Sequence, residues 1–211
     1  MNTQTVVQKL SEKPKLARFR RTIAQYFIRL PVELLAKTSV SPNAVSLFGL
    51  LLTLGAGALI VTERFPAAVI VILVAGFFDM LDGALARMTD RVTKFGGILD
   101  STLDRVSEAV LLLSLLPFYA RQQSLSGIYL VGLAFLGSYL VSYIRARAEG
   151  AGINCEVGIF TRPERIIVLA LGLLLTQVSS LFLTAALIVI AVFGFVSAGQ
   201  RLYHTWREAR K

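Results

Sequence analysis

The chain has 211 residues, of which 55% are hydrophobic, and it carries a formal net charge of +9. This apolar content exceeds the roughly 45–50% that is usual in soluble domains, so we expect a single membrane domain. The basic residues flank apolar segments, which favours membrane topology and anionic lipid headgroups over nucleic acid as the reason for the charge. Cys155 is the only cysteine, which excludes an internal disulfide.

Ahead of the first apolar segment, residues 17–37 predict an amphipathic helix at the membrane interface, with an ordinary packed surface helix as the alternative. Six membrane-spanning helices are predicted after it, at 43–62, 66–88, 97–119, 124–145, 164–179 and 181–201. The predicted fold class is therefore all-α, a polytopic bundle of six transmembrane helices with an N-terminal interfacial helix. It divides the chain into an N-terminal segment (1–42), a six-span membrane domain (43–201) and a basic cytoplasmic tail (202–211).

The lysines and arginines predict the orientation of the bundle. They are concentrated in the N-terminal segment, in the second-to-third and fourth-to-fifth connections, and at the C-terminus. The opposite side carries only Arg64 and Arg121. The positive-inside rule therefore places both termini in the cytoplasm and the protein in the cell membrane, and the even number of spans agrees.

Four aspartates lie within the predicted spans at helical spacing. Asp79 and Asp82 are three residues apart near the end of the second span, and Asp100 and Asp104 are four apart near the start of the third. Each pair occupies one helical face, and both lie in the cytoplasmic halves of neighbouring antiparallel helices, so they can meet. Carboxylates inside a membrane are costly and are candidate functional groups. A divalent cation would offset their repulsion, and an all-oxygen set favours Mg²⁺, Mn²⁺ or Ca²⁺ over zinc.

Small residues and an arginine continue this acidic face. Gly83 and Ala86 leave room beside the carboxylates, and Arg87 follows at the water boundary, where a guanidinium can hold a phosphate. Together these residues predict a diphosphate substrate with a lipid tail. A proton relay or a cation path in a metal-ion transporter is the alternative that the residues leave open.

The spacing Asp79-x2-Asp82-Gly83-x2-Ala86-Arg87-x8-Gly96-x3-Asp100-x3-Asp104 resembles the signature of the CDP-alcohol phosphatidyltransferases at all eight fixed positions. The resemblance implies that the four aspartates hold two ions of Mg²⁺ or Mn²⁺. It implies that Asp104 is the catalytic base, which takes the proton from the acceptor hydroxyl. That hydroxyl then attacks the phosphorus bearing the lipid, and CMP leaves. The family is commonly dimeric, so a homodimer is expected.

The resemblance also implies contacts with the CDP-linked lipid. Gly83 and Arg87 would contact the nucleotide and diphosphate, and Thr93 matches a further contact position of the family. The segment before the first span resembles the cytidine-contacting segment of the family; it comprises Pro42, Asn43, Ala44 and Val45. A plain helix start, with proline after a serine cap, explains this segment equally well.

Arginines near the fourth-to-fifth connection bear on the acceptor. Arg145, Arg147 and Arg165 lie at the cytoplasmic face with Arg201 at the end of span six, and topology accounts for part of this charge. The segment resembles the phosphatidylinositol-phosphate synthase branch of the family and its archaeal-lipid counterparts, in which a lysine often stands at the position of Arg145. We therefore predict transfer to inositol 1-phosphate, forming phosphatidylinositol phosphate. Glycerol 3-phosphate, serine and inositol are alternative acceptors, and Arg147→Ala would strongly raise the KM of a phosphorylated acceptor.

Overall fold

The structure is a computed structural model that describes residues 30–210. Every regular element within this range is an α-helix. Residues 30–36 are helical, and the chain continues through α1 (Pro42–Val61), α2 (Phe65–Met88), α3 (Lys94–Leu113), α4 (Leu116–Arg121), α5 (Leu125–Gly150), α6 (Arg162–Leu175) and α7 (Ser180–Glu208). Most of the interfacial helix predicted at 17–37 lies outside the described residues.

Polar caps begin several of these helices where the sequence predicts breaks. The Ser41 hydroxyl accepts a hydrogen bond from the Ala44 N–H at the start of α1, with proline in its first turn. The Thr93 hydroxyl accepts from the Gly96 N–H at the start of α3. Such caps satisfy backbone donors that have no partner within the helix. They fix the helix starts that flank the two aspartate pairs.

The third predicted span differs from the prediction because it is divided in two. α3 ends at Leu113, and the short helix α4 begins at Leu116 with proline in its first turn. Pro117 lacks an N–H and cannot continue the hydrogen-bond ladder of the preceding helix. Two other helices run beyond their predicted ends, α5 to Gly150 and α7 to Glu208, so the proposed tail at 202–211 begins inside a helix.

The helices pack as one bundle around an apolar core. α1 packs against both α2 and α3, α5 packs against α7, and α6 contacts α2 and α7. At the crossing of α5 and α7, a Cβ on Gly137 would lie 3.3 Å from the Ala191 carbonyl oxygen, and one on Gly194 would lie 3.2 Å from the Gly137 carbonyl carbon. Glycine therefore allows the two backbones to touch, as is common between membrane helices.

Among the helices of residues 30–210, four are long and apolar enough to cross a membrane: α1, α2, α5 and α7. Large apolar side chains such as Leu51 and Leu181 point away from the core and are 63% and 74% exposed, as expected for a surface that meets lipid. α3 carries Asp100, Asp104 and Glu108, and α6 has only 14 residues, about 21 Å of helix. The structure therefore indicates a membrane protein, while six complete spans stay a prediction.

Candidate active site

Three aspartates from two helices converge beside α1. Carboxylate oxygens of Asp79 on α2 and of Asp100 and Asp104 on α3 all lie within 4.8 Å of one another. α2 and α3 are joined by a short connection and both pack against α1. Residues four apart on α3 share one helical face, which is why Asp100 and Asp104 reach the same point. The result is a concentrated negative site at one end of the bundle.

This site suits a divalent cation. A small cavity of about 20 Å³ is bordered by the three aspartates together with Ser46, Thr53 and other residues. Carboxylate oxygens are the ligands that Mg²⁺ and Mn²⁺ prefer, and a bound cation offsets the repulsion among close carboxylates. The donor atoms and their spacing therefore suit such an ion.

Asp82, the fourth predicted ligand, is held differently from the other three. Its side chain is buried, and its Oδ2 accepts a hydrogen bond from the Ser46 hydroxyl at 2.5 Å. The Gly83 N–H donates to its other oxygen. Asp82 lies outside the converging set and lines the neighbouring cavity instead. Its role as a metal ligand stays a prediction.

Arg162 was not predicted to be a site residue, yet it lies in the aspartate cluster. Its Nη1 donates to Asp79 Oδ2 at 2.9 Å and forms an ion pair with Asp104 Oδ1 at 2.6 Å. Arg162 is the first residue of α6, three positions before Arg165. That spacing places both arginines on one helical face, which is the signal that could have identified Arg162.

A cavity of about 260 Å³ adjoins the cluster at the start of α1 and contains most of the predicted CDP-lipid contacts. Asp82 and Asp100 line it together with five residues from that prediction: Pro42, Asn43, Gly83, Arg87 and Thr93. The other two, Ala44 and Val45, are not among its lining residues. Ala44 is exposed, and Val45 is buried in an apolar cluster with Val32, Leu81 and Leu85.

A second and larger cavity, of about 560 Å³, is also lined by Asp100. Five arginines line it: Arg105, Arg145, Arg162, Arg165 and Arg201. Three of these five guanidinium groups belong to residues predicted to bind the acceptor phosphate. Arg147, the remaining predicted contact, is exposed and is not among the lining residues.

The arginines of this larger cavity are held by protein partners. The buried Arg165 forms a two-pronged ion pair with Glu108, with Nε–Oε1 at 2.5 Å and Nη2–Oε2 at 2.8 Å. Arg201 donates to the carbonyl oxygens of Val157 and Val141 at 2.8 and 2.6 Å. Arg145 pairs with Glu149 at 2.7 Å on the surface. These contacts fix the positions of the guanidinium groups that border the cavity.

Glu108 is a second residue that the sequence reasoning missed. It lies four residues after Asp104 on α3, is 6% exposed, and meets Arg165. A carboxylate inside an apolar helix is a candidate functional group in its own right. The same spacing that links Asp100 to Asp104 therefore points to Glu108.

The comparisons with known proteins agree with this geometry. The sequence model for CDP-alcohol phosphatidyltransferase matches residues 39–196. Archaetidylinositol phosphate synthase from Pyrococcus horikoshii is 36% identical over 192 residues, covering 87% of this chain and 93% of the relative. Phosphatidylinositol phosphate synthase from Corynebacterium glutamicum is 38% identical over 162 residues, covering 74% and 73%.

Solved structures show the same fold. The crystal structure of Mycobacterium tuberculosis phosphatidylinositol phosphate synthase with CDP-DAG bound matches with a TM-score of 0.77 and 27% identity, covering 88% of this chain and 94% of that one. The same enzyme in complex with manganese and citrate matches with a TM-score of 0.73 and 28% identity, covering 88% of both chains. With its complete aspartate signature, the chain belongs to the CDP-alcohol phosphatidyltransferase family and is a membrane transferase of phospholipid biosynthesis.

Proposed function

We propose that the protein transfers a phosphatidyl-type group from a CDP-linked lipid, of the CDP-diacylglycerol type, to inositol 1-phosphate, forming phosphatidylinositol phosphate and releasing CMP. The observation that carries this proposal is the cavity of about 560 Å³ whose lining combines Asp100 with Arg145, Arg165 and Arg201. Arginine is the side chain best suited to hold a phosphomonoester, because its planar group offers several parallel donors. The relatives named as inositol phosphate lipid synthases support the same acceptor.

The donor lipid is proposed to bind on the other side of the aspartates. The cavity of about 260 Å³, called the donor cavity below, shares Asp100 with the acceptor cavity of about 560 Å³. Arg87 lines the donor cavity, where its guanidinium can hold the diphosphate. Pro42, Asn43, Gly83 and Thr93 complete the proposed contacts. Ala44 and Val45 also belong to the proposal, through the segment in which they lie. The matching crystal structure that contains CDP-DAG supports this use of the site.

The aspartates are proposed to act both as ligands and as a base. Asp79, Asp100 and Asp104, with Asp82 as a fourth ligand, would hold Mg²⁺ or Mn²⁺, as two ions. When bound, a divalent cation at these carboxylates offsets the charge of the diphosphate and makes CMP a better leaving group. Asp104 accepts the proton of the acceptor hydroxyl as that oxygen attacks the phosphorus bearing the lipid. Arginines on the acceptor side hold the phosphate and so orient the hydroxyl.

The membrane arrangement is part of the same proposal. Six spans, an interfacial helix before them and both termini in the cytoplasm would put the two cavities at the cytoplasmic face, where phosphorylated polyols are available. We propose that the enzyme works in the cell membrane as a homodimer, following the pattern of the family.

The experiment that tests the proposal is CMP release by the purified protein in lipid nanodiscs. The protein receives CDP-diacylglycerol and Mg²⁺ or Mn²⁺ with inositol 1-phosphate, inositol, glycerol 3-phosphate or serine. We expect release that depends on inositol 1-phosphate and on the metal. Release with a different acceptor alone would keep the chemistry and refute the assigned acceptor. Cation flux through vesicles without CMP release would instead favour a metal-ion transporter.

A further inference from the structure

The guanidinium of Arg162 lies between the aspartate cluster and the acceptor cavity. Arg162 lines the cavity of about 20 Å³ with Asp79 and Asp104, and it also lines the cavity of about 560 Å³ with Arg145 and Arg201. One side chain is therefore shared by the site proposed for the metal and the site proposed for the acceptor phosphate.

Arg162 uses carboxylate oxygens that a metal would need. Its Nη1 lies 2.9 Å from Asp79 Oδ2 and 2.6 Å from Asp104 Oδ1. Small divalent cations bind carboxylate oxygens at about 2.0–2.2 Å. A cation held by Asp79 and Asp104 would therefore stand next to the guanidinium, and two positive charges at such a distance repel each other strongly where the dielectric constant is low. Arg162 and a metal ion therefore each weaken the binding of the other to these carboxylates.

The aspartate cluster satisfies only part of the hydrogen-bonding capacity of Arg162. A single nitrogen, Nη1, makes both ion pairs, and the buried Nε has no hydrogen-bond partner among the described residues. Arg165 provides the contrast on the same helix, because its Nε, Nη1 and Nη2 are all bonded. A buried donor without a partner costs free energy, so a rotamer that gives the Arg162 Nε a partner is stabilised.

The backbone at Arg162 is fixed, so that only its side chain has to move. Glu164 accepts a hydrogen bond from the Thr161 N–H at 2.9 Å in a capping box at the start of α6. Arg165 anchors the next turn through Glu108. Rotation of the long Arg162 side chain leads from the aspartates into the adjoining cavity that it already lines.

We propose that Arg162 competes with the divalent cation for Asp79 and Asp104, and that metal binding transfers its guanidinium to the acceptor cavity. Arg162 thereby lowers the affinity of the site for metal alone, and an anion in the acceptor cavity raises that affinity by holding the displaced guanidinium. Coupling of this kind is reciprocal, so the metal also raises the affinity for the anion. The inference rests on the metal site of the proposed function, and its second part rests on the phosphate-binding role of the acceptor cavity.

The test measures Mn²⁺ binding to the full chain in nanodiscs without substrates. The electron paramagnetic resonance signal of free Mn²⁺ reports how much of the ion is bound. Arg162→Gln should tighten the Kd by at least roughly tenfold, as expected if Arg162 leaves the carboxylates free in about one molecule in ten. Arg145→Gln is the matched control, because it removes the same charge from the same cavity but pairs with Glu149 instead of the aspartates. It should change the Kd by less than about twofold.

Two outcomes overturn the competition. One is a Kd that is unchanged or weaker in Arg162→Gln, and the other is an equal tightening in Arg145→Gln, which would indicate general electrostatics. If neither the wild type nor Arg162→Gln binds Mn²⁺, or if Asp79→Asn binds it as tightly as the wild type, the metal site itself is refuted. That result is distinct from equal binding by wild type and Arg162→Gln.

Two further measurements cover the remaining cases. Arg162→Lys keeps the charge with fewer donors, so it should fold even if Arg162→Gln does not. Its Kd for Mn²⁺ should lie between the wild-type value and the roughly tenfold tighter value expected for Arg162→Gln.

Inorganic phosphate should tighten Mn²⁺ binding more in wild type than in Arg162→Gln or Arg162→Lys. Equal tightening in all three would refute the transfer of the guanidinium to the acceptor cavity.

Discussion

The aspartate cluster and the arginine-lined cavity are two charged regions that the protein stabilises in opposite ways. Among the described residues, the direct ion pairs of Asp79 and Asp104 come from Arg162 alone. The other arginines of the larger cavity are already bonded to Glu108, Glu149 or backbone carbonyl oxygens. Three close carboxylates therefore share one guanidinium and leave negative charge that a bound cation would offset, whereas the arginines are positioned in advance and retain only part of their donors for a ligand. Substitutions in the first region should act on chemistry, and those in the second on stability or acceptor affinity.

The largest expected effect is on chemistry in the aspartate cluster. Asp104→Asn removes the proposed base and a metal ligand, so turnover should fall by on the order of 10²–10⁴, the range typical for loss of a general base. CMP release measures the loss, and binding of CDP-diacylglycerol should persist. Asp90→Asn is the matched control. Asp90 lies in the connection after α2 with a φ of 51°, a conformation that asparagine accepts readily. Full activity of Asp104→Asn would refute the base.

The second prediction concerns the buried ion pair of Arg165 and Glu108 beside the larger cavity. Arg165→Ala leaves Glu108 buried without its partner, which typically costs about 3–5 kcal/mol in the free energy of unfolding. Replacing both residues, as in Glu108→Leu with Arg165→Met, should cost far less because no charge is left unpaired. Chemical unfolding in detergent micelles would measure both variants. A double variant as unstable as Arg165→Ala would show that the pair is not what stabilises this region.

The third prediction concerns the donor cavity. A Cβ on Gly96 would lie 2.9 Å from Thr93 Oγ1 and 3.5 Å from Asn43 Oδ1. Gly96→Ala should therefore displace two residues that line this cavity and raise the KM for CDP-diacylglycerol by about tenfold, in line with about 1–3 kcal/mol for overpacking. Gly55→Ala on α1 is the control, because a Cβ there meets nothing within 4 Å. Equal KM values in the two variants would contradict the proposal that this cavity binds CDP-diacylglycerol.

The smallest expected effect separates two surface arginines. Arg145 lines the acceptor cavity whereas Arg147 is exposed outside its lining. Arg145→Ala should raise the KM for inositol 1-phosphate by roughly fivefold, since a partly exposed charge contributes modestly. Arg147→Ala should raise it less, in contrast to the strong effect expected from the sequence. An equal or larger increase in Arg147→Ala would restore Arg147 to the acceptor site.

Much of the fold could be predicted because helix ends have local causes. Ser41, Thr93 and Ser179 cap α1, α3 and α7 close to the predicted boundaries, since a cap is set by a few neighbouring residues. The break between α3 and α4 was missed because the apolar pattern runs through it. Pro117 was the available signal, but a proline in an apolar segment does not by itself tell a kink from an interruption.

The candidate site was predictable to the extent that its residues are close in sequence. The aspartates lie on two neighbouring helices at fixed spacing, so their convergence followed from helical geometry. The partners of the arginines could not be found in this way. Glu108 and Arg165 are 57 residues apart, and Arg162 reaches Asp79 across 83 residues. Such contacts depend on how distant helices pack, which the period of the sequence does not encode.

The most direct test of the central claim compares inositol 1-phosphate with inositol in the wild-type enzyme. Both acceptors offer the same ring, so the ratio of their kcat/KM values isolates the contribution of the phosphate. Two charge-assisted hydrogen bonds of about 1.5–3 kcal/mol each predict a preference for inositol 1-phosphate of at least roughly 100-fold. Equal kcat/KM values for the two acceptors would contradict the assignment of the arginine-lined cavity to a phosphorylated acceptor.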